Sequence, residues 1–382
     1  MLKLIRNVDV YAPEPLGHRS IFICGEQIVA LCTPAAEGQY ISLPGLQVLE
    51  GTGLTALPGL IDQHVHIIGG GGEDGFASSI GALAPESCVE NGVTTVVGVL
   101  GTDSTAKSVR QLIAYTKKLR AAGLTAYCLT GSYAFPSPTV TGNVQDDIVY
   151  ISEVLGVKLA ISDHRSSYPT RQELLRLAAQ ARVAGMLSGK PGYVHLHVGS
   201  DPVGLKDLLA IVREDGFPIA TLRPTHVDNC LEDTEAFAAL GGYIDFTSGK
   251  GPEEQAAIVS QLLRRVPKAR VTISSDANGS MPLWGPNAAL LGMGRGSLAS
   301  DWKMLRALVE REGLPLEKAL PLFTSNVAEA LGFGADCGRL APGARADILL
   351  ADGSWRIQDV LVRGKLLMSD GVSCVPSYYR QA

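Results

Sequence analysis

Residues 57–66 read Leu-Pro-Gly-Leu-Ile-Asp-Gln-His-Val-His, an apolar run that ends in two histidines. On a β-strand, residues two apart point to the same side, so both imidazoles are predicted to face one way at the end of this strand. Seven further short apolar runs follow along the chain, and amphipathic stretches long enough to be helices separate them. This alternation is typical of βα units around a parallel sheet.

The eight runs are candidate strands of one closed barrel. They cover residues 57–67, 94–100, 125–130, 157–162, 193–198, 219–227, 243–247 and 271–275. The helical stretches cover residues 108–121, 171–184, 202–213, 252–265, 301–312 and 316–331. Eight strands with intervening helices within about 280 residues fit a closed barrel better than an open sheet. The predicted fold class is therefore α/β, a (β/α)8 TIM barrel.

The two ends of the chain differ from the middle. Residues 2–49 alternate short apolar runs with turn residues, and the segments after Gly338 do the same, which indicates β-strands. Chain termini usually lie close together on a domain surface, so head and tail are predicted to pair into a small β-sandwich beside the barrel. The predicted domains are residues 1–54 plus 336–382 for the β-sandwich and residues 55–335 for the barrel.

Composition excludes several classes of partner. The 382 residues are enough for two domains, and 46% hydrophobic with 19% charged residues is ordinary for a soluble globular protein. A formal net charge of −5 gives no electrostatic reason to expect nucleic acid or an anionic membrane. No apolar stretch approaches the roughly 20 residues that a membrane span needs. The seven cysteines are scattered and odd in number, and charge interrupts the first apolar run, so we expect reduced thiols in a cytoplasmic protein.

Four of the seven histidines end candidate barrel strands. His64 and His66 end the first strand, His197 the fifth and His226 the sixth, and Asp276 ends the eighth. Two structural histidines in a turn would explain the first pair alone, but five such side chains on one rim indicate a metal site, because imidazole nitrogen suits zinc and similar divalent ions. His195 lies deeper on its strand and is expected to be a hydrogen-bonded core histidine.

Lys158 lies inside the apolar run of the fourth strand, and lysine is almost never buried without a partner. A lysine that reaches from the strand end to water is one explanation. Because Lys158 is expected to lie beside the histidines, there is a second explanation for its burial. Burial lets a lysine lose its proton more readily, and a neutral amine can take up carbon dioxide to form a carbamate, an anionic ligand able to bridge two metals.

These residues resemble the amidohydrolase superfamily and, within it, the isoaspartyl dipeptidases. The superfamily features are residues 58–66, Lys158, His197, His226, Asp276 and the tail motif at 343–348. The narrower resemblance rests on residues 66–73, 100–104, 130–133, 160–166 and 274–280.

The resemblance implies two divalent metal ions, zinc being the expected metal. His64 and His66 would bind one metal, His197 and His226 the other, and a carboxylated Lys158 would bridge them. Asp276 would bind the first metal and act as the catalytic proton shuttle.

The resemblance also implies the residues that bind the substrate. Glu73 would bind a free α-ammonium, Arg165 and Ser280 would bind carboxylate, and Thr102 would contribute to the same pocket. Tyr133 would bind the substrate and polarise its carbonyl oxygen during catalysis. The expected activity is cleavage of the isopeptide amide bond of β-aspartyl dipeptides, and we expect a homo-oligomer.

One position departs from the family pattern. The similar dipeptidases carry a second carboxylate-binding arginine three residues after the strand-six histidine, and this chain has Asn229 there. Arg223, three residues before His226, is expected to face the other way. Asn229 therefore leaves open a related amidohydrolase that acts on a cyclic amide or an N-acyl amino acid. A barrel that serves only as a non-catalytic assembly module is the third hypothesis.

Overall fold

The computed structural model describes residues 1–284 and 290–376. Its strands form a nine-stranded sheet, an eight-stranded sheet and a two-stranded hairpin. The strands are β1 (Leu2–Tyr11), β2 (Pro15–Cys24), β3 (Gln27–Cys32), β4 (Leu46–Glu50), β5 (Leu54–Pro58), β6 (Leu60–Val65), β7 (Val93–Gly98), β8 (Thr125–Gly131), β9 (Val154–Ile161), β10 (Tyr193–Val198), β11 (Leu222–Thr225), β12 (Ile244–Thr247), β13 (Val271–Ser274), β14 (Ser280–Trp284), β15 (Leu290–Arg295), β16 (Ile348–Asp352), β17 (Ile357–Val362), β18 (Lys365–Ser369) and β19 (Val372–Ser373).

The eight-stranded sheet is a closed parallel barrel. Strands β6 to β13 pair with their neighbours in chain order, and the pairs are parallel. The two ends of the sheet meet where Val65 forms a parallel bridge with Ala277, and the His66 N–H donates to the Ala277 carbonyl at 2.9 Å. The predicted (β/α)8 barrel is confirmed.

Helices follow the barrel strands, and polar side chains begin several of them. Ser108 accepts the Gln111 N–H at the start of the helix Val109–Ala121, and Thr170 and Glu173 form a reciprocal capping box at the start of the helix Arg171–Ser188. The helices are α1 (Gly38–Ile41), α2 (Pro85–Glu90), α3 (Val109–Ala121), α4 (Val144–Tyr150), α5 (Arg171–Ser188), α6 (Lys206–Arg213), α7 (Leu231–Ala239), α8 (Pro252–Leu262), α9 (Ala299–Glu310), α10 (Leu316–Ala319) and α11 (Ser325–Ala330). Among the described residues, none of these helices combines the length and hydropathy that crossing a membrane requires.

Two of the predicted elements are each divided into shorter ones in the structure. The predicted helix 316–331 is broken into α10, a 3-10 turn at Leu320–Phe323 and α11, because Pro321 has no N–H to continue the helix. The predicted strand 57–67 is divided at Gly59, where the chain passes from β5 in one sheet to β6 in the other. A Cβ on Gly59 would lie 2.3 Å from the Thr94 side chain, so the crossing point has room only for glycine.

A short helix closes one end of the barrel. Apolar side chains from β6 to β10 pack in one cluster with residues of α11, and only side chains inside the barrel can join strands so far apart in the sheet. The cluster, which we name the barrel floor, contains Ile61, Val97, Val99, Leu129, Leu155, Tyr193, Val327, Ala328, Leu331 and Cys337. The open end is therefore the opposite one, where the carboxyl ends of the strands lie.

The nine-stranded sheet joins the two ends of the chain. Strand β5 pairs in parallel with β1 and antiparallel with β16, which connects β1–β4 to β16–β19. A separate apolar cluster that includes Ile5, Ile21 and Ile348 packs on it. The prediction that head and tail pair into a separate β unit is confirmed. The domain boundaries stay a prediction, and residues 377–382 of the predicted small domain lie outside the described residues.

Candidate metal centre and active-site cleft

His64, His66 and Asp276 meet at the open end of the barrel. Asp276 Oδ1 lies 3.4 Å from His64 Nε2 and 3.1 Å from His66 Nε2, and all three residues are buried. One nitrogen or oxygen from each lies within 4.8 Å of the others, which is close enough to hold a single ion. These positions come from the end of β6 and the turn after β13, which the barrel closure brings side by side.

His197 and His226 complete one cluster of imidazoles. The ring centroid of His226 lies 5.1 Å from that of His64 and 4.5 Å from that of His197, and its Nε2 lies 3.8 Å from Asp276 Oδ2. His226 has a φ of 61° and Asp276 a φ of 52°, a left-handed backbone conformation that costs energy in residues with a Cβ. Strained backbone at two strand ends is what a functional site commonly shows.

Lys158 lies beside this cluster on β9. Its Nζ is 3.1 Å from His64 Nε2, and the side chain is fully buried. Burial lowers the pKa of Lys158 to about 7, against 10.5 for a free lysine. At neutral pH a large share of this amine is uncharged and nucleophilic.

The donor set fits divalent cations. His226 Nε2, His66 Nδ1 and Asp276 Oδ1 are buried and lack a hydrogen-bond partner among the described residues, and an unsatisfied buried polar group costs about 1–3 kcal/mol. Burial also lowers the pKa of His64 and of His226 well below the usual value, so both imidazoles are neutral at neutral pH. Neutral imidazoles and a carboxylate are the protonation states in which these side chains bind metal.

A second layer of side chains orients the imidazoles. His195 Nε2 lies 3.1 Å from His64 Nδ1, and Thr247 Oγ1 lies 2.5 Å from His226 Nδ1. Such contacts fix the ring orientation of metal-ligating histidines. His195 is thus a buried histidine behind the cluster, as its depth on the strand indicated. Thr247 was not predicted, although it ends β12 on the same rim.

Four of the predicted substrate-binding residues meet at one carboxylate. Glu73 Oε1 accepts hydrogen bonds from Ser280 Oγ at 2.8 Å, Thr102 Oγ1 at 3.2 Å and Arg165 Nη1 at 3.3 Å. Glu73, Arg165 and Ser280 line a cleft together with His66, Tyr133 and Asp276. Thr102 reaches this group from the loop after β7.

Asp163 is a site residue to which the sequence assigned no role. Its carboxylate accepts two hydrogen bonds from the Arg165 guanidinium, at 2.9 and 2.8 Å, and Oδ2 lies 2.8 Å from His197 Nε2. Although burial opposes the charge, these partners hold the pKa of Asp163 well below its usual value. Asp163 therefore stays ionised and fixes both Arg165 and His197. Its position two residues before Arg165 was the only signal in the sequence.

Tyr133 stands between the cleft and the imidazoles. Its hydroxyl lies 2.6 Å from His197 Nδ1, and the side chain is buried. Burial raises the pKa of Tyr133 well above the usual value, so the hydroxyl keeps its proton and can donate a hydrogen bond.

Asn229, the departure from the family pattern, is exposed beside the site. Its amide donates to the Val198 carbonyl at 3.1 Å, and its oxygen lies 3.4 Å from Lys250 Nζ. Lys250 is held by both oxygens of Asp228 at 3.0 Å, so its charge is already paired. Arg223 does not replace the missing arginine, because it stacks on Tyr193 in the barrel floor. The expectation that it faces away from His226 is wrong. The side chains of Arg223 and His226 both point into the barrel, and Arg223 lies nearer to its closed end. The left-handed backbone at His226 breaks the alternation of side-chain directions along the strand.

Comparison with known proteins identifies the family of this chain. Residues 55–367 match the model of the amidohydrolase family. The chain is 24% identical over 393 aligned positions to an adenine deaminase of Gluconobacter oxydans strain 621H, covering 96% of this chain and 58% of that protein. It thus spans little more than half of that relative's length.

The solved structures include a much more similar protein. The β-aspartyl dipeptidase of Fervidobacterium islandicum AW-1, in complex with β-Asp-Leu, is 38% identical with a TM-score of 0.91, covering 99% of this chain and 100% of that one. A dihydropyrimidinase of Brevibacillus agri NCHU1002 shares the fold at 16% identity, with a TM-score of 0.69 and coverage of 98% and 96%. The chain belongs to the amidohydrolase family and, within it, to the isoaspartyl dipeptidase family, and it is a hydrolytic enzyme.

Proposed function

We propose that the protein is a binuclear-metal hydrolase that cleaves the isopeptide amide bond of β-aspartyl dipeptides. One observation carries the choice of substrate. The carboxylate of Glu73 and the guanidinium of Arg165 lie 3.3 Å apart beside the imidazole cluster. A β-linked aspartyl residue has its free ammonium and free carboxylate on the same carbon atom, and an adjacent anion and cation match that pair of charges.

The charge pair also discriminates against ordinary peptides. An α-linked aspartyl dipeptide has a free ammonium but no free carboxylate on the same carbon. If its ammonium took Glu73, Arg165 Nη1 would find no acceptor on the substrate, although Asp163 still holds Nε and Nη2. An N–H left without an acceptor costs about 1–3 kcal/mol, which disfavours that substrate. The similar dipeptidase of Fervidobacterium islandicum, described with β-Asp-Leu, supports the same substrate class.

The residues that would hold the metals follow from the cluster. His64, His66 and Asp276 would bind one divalent ion, and His197 and His226 the other, with zinc as the proposed metal. The neutral amine of Lys158 would add to carbon dioxide, forming an N–C bond and releasing a proton, and the resulting carbamate would bridge the ions. Two such ions, when bound, supply Lewis acidity and lower the pKa of water towards neutrality.

The protein's own side chains perform the remaining steps. Asp276 would accept the proton of the attacking water and pass it to the leaving amine, which needs a base within reach of both. The Tyr133 hydroxyl, protonated at neutral pH, would donate to the carbonyl oxygen as negative charge develops there. Arg165, whose Nε and Nη2 donate to Asp163, would offer its Nη1 to the substrate carboxylate.

Asn229 supports one alternative. With an exposed amide in place of the arginine, and with Lys250 already paired to Asp228, the cleft has one charge-assisted carboxylate contact fewer than the family pattern implies. A related amidohydrolase that acts on a cyclic amide or an N-acyl amino acid would need fewer such contacts. A homo-oligomeric state and a cytoplasmic location remain expectations from the sequence.

Hydrolysis assays separate the two functions. With zinc and bicarbonate supplied, we expect turnover of β-Asp-Leu and none of α-Asp-Leu, and removal of metal by a chelator should abolish it. Glu73→Gln should raise KM for β-Asp-Leu, because the ammonium loses its anion, while Glu86→Gln on α2 is a matched control. Faster hydrolysis of a hydantoin or an N-acetyl amino acid than of β-Asp-Leu would establish the alternative.

A further inference from the structure

A buried arginine lies well below the metal centre. Arg223 on β11 precedes His226 by three residues, which places it about 10 Å further from the open end of the barrel. Its guanidinium carbon lies 4.4 Å from the ring centroid of Tyr193 and 5.4 Å from that of Tyr243. Tyr193 belongs to the barrel floor, so Arg223 is enclosed between two aromatic rings at the closed end.

Three polar atoms of Arg223 and Tyr193 lack hydrogen-bond partners within the described residues. Arg223 is only 8% exposed, and neither its Nε nor its Nη1 finds an acceptor among residues 1–284 and 290–376. The hydroxyl of Tyr193, which is fully buried, likewise has no partner within those ranges. Two groups in contact with each other thus present buried N–H and O–H donors without an acceptor.

The charge of Arg223 is also uncompensated. Within the described residues Arg223 forms no ion pair. The charged group that acts on its guanidinium is another cation, Arg270, which stacks on Tyr243 at 4.7 Å, and the Asp245 carboxylate acts on Tyr193. Burial lowers the pKa of Arg223 from its usual value, and Arg270 acts in the same direction. Arginine keeps its proton even so, and a buried cation without a counter-charge is strongly unfavourable.

We infer that Arg223 and Tyr193 form a binding site for a small inorganic anion, such as chloride, at the closed end of the barrel. The anion would accept hydrogen bonds from the unpaired guanidinium N–H groups and from the Tyr193 hydroxyl. Because Arg223 lies between two aromatic rings, the proposed ion is a small, weakly hydrated one, and the dipeptide has no part in it. Occupation would stabilise the folded barrel, because the unfolded chain has no such site.

Bromide locates the site directly. In crystals grown with sodium bromide, we expect an anomalous peak within about 3.5 Å of the Arg223 guanidinium. In solution, the Tm should rise by about 2 °C for each tenfold increase in chloride above the Kd, at an ionic strength held constant with gluconate. An ordinary water in place of the bromide peak, with a Tm independent of chloride, would overturn the inference.

Variants assign the effect to these two side chains. Arg223→Met should lose the chloride dependence of Tm, whereas Arg213→Met, at the exposed end of α6, should keep it. If Arg223→Met does not fold, Tyr193→Phe removes one donor only and should weaken chloride binding at least several-fold. Unchanged chloride dependence in either folded variant would show that the anion binds elsewhere and would contradict the inference.

Discussion

Replacement of Lys158 by methionine tests two effects of this residue separately: its contribution to catalysis and its effect on the free energy of unfolding. Methionine has a similar length and fills the same buried volume, but it carries no charge and cannot form a carbamate. Because Lys158 is fully buried with a pKa of about 7, the metal-free protein must either bury an ammonium or release its proton. We therefore expect the variant to be more stable than the wild type without metal, and inactive with metal.

The magnitude follows from the pKa difference. The folded pKa of about 7 lies below the unfolded value of about 10.4, so between these values the unfolded chain binds more protons and the free energy of unfolding rises with pH. The lysine penalty is then about 5 kcal/mol at pH 6, about 4 at pH 7 and about 3 at pH 8. The lost contact with His64 Nε2 offsets about 1 kcal/mol, leaving a net stabilisation of about 3 kcal/mol at pH 7.

Urea unfolding of the metal-free proteins at pH 6, 7 and 8 measures this difference, and hydrolysis of β-Asp-Leu with zinc and bicarbonate measures activity. The stability gain should shrink as the pH rises, while activity should fall at least a thousandfold at every pH, since the proposed bridging ligand is gone. Lys303→Met on α9 is the matched control. A variant less stable than the wild type at all three values, or one that retains activity, would refute the reasoning.

Three further substitutions test individual roles. Asp276→Asn should lower kcat by about 10²–10⁴, because the amide cannot shuttle a proton, and a kcat near the wild-type value would remove Asp276 from catalysis. Tyr133→Phe should lower kcat by about 10²–10³ with little change in KM, as measured with β-Asp-Leu, and a rise in KM alone would assign the hydroxyl to substrate binding instead. Asn229→Arg should lower KM for β-Asp-Leu by about tenfold, and an unchanged or raised KM would show that this position lies outside the carboxylate pocket.

The barrel and the rim of ligands could be predicted from the sequence because both depend on short-range patterns. Alternating apolar runs and amphipathic stretches define βα units, and parallel strands must bring their carboxyl ends to the same edge. His197 and Asp276 lie far apart in the chain, yet each ends a strand, so their approach follows from topology alone. Lys158 stood out because a charge in an apolar strand is rare.

Other features depended on contacts that no local pattern records. The separation of β5 from β6 at Gly59 follows from the close approach of Thr94, which lies 35 residues away. Thr247 and Asp163 are ordinary strand-end and loop residues, and only the assembled barrel shows that they face His226 and His197. That Arg223 and His226 both point into the barrel likewise depends on the left-handed backbone at His226, which periodicity cannot predict.

Anomalous diffraction at the zinc absorption edge, on crystals of the protein supplied with zinc and bicarbonate, tests the central claim most directly. We predict two peaks roughly 3.5–4 Å apart, one bound by His64, His66 and Asp276 and the other by His197 and His226, with density for a carbamate on Lys158 between them. The absence of both peaks, or peaks away from these side chains, would contradict the account.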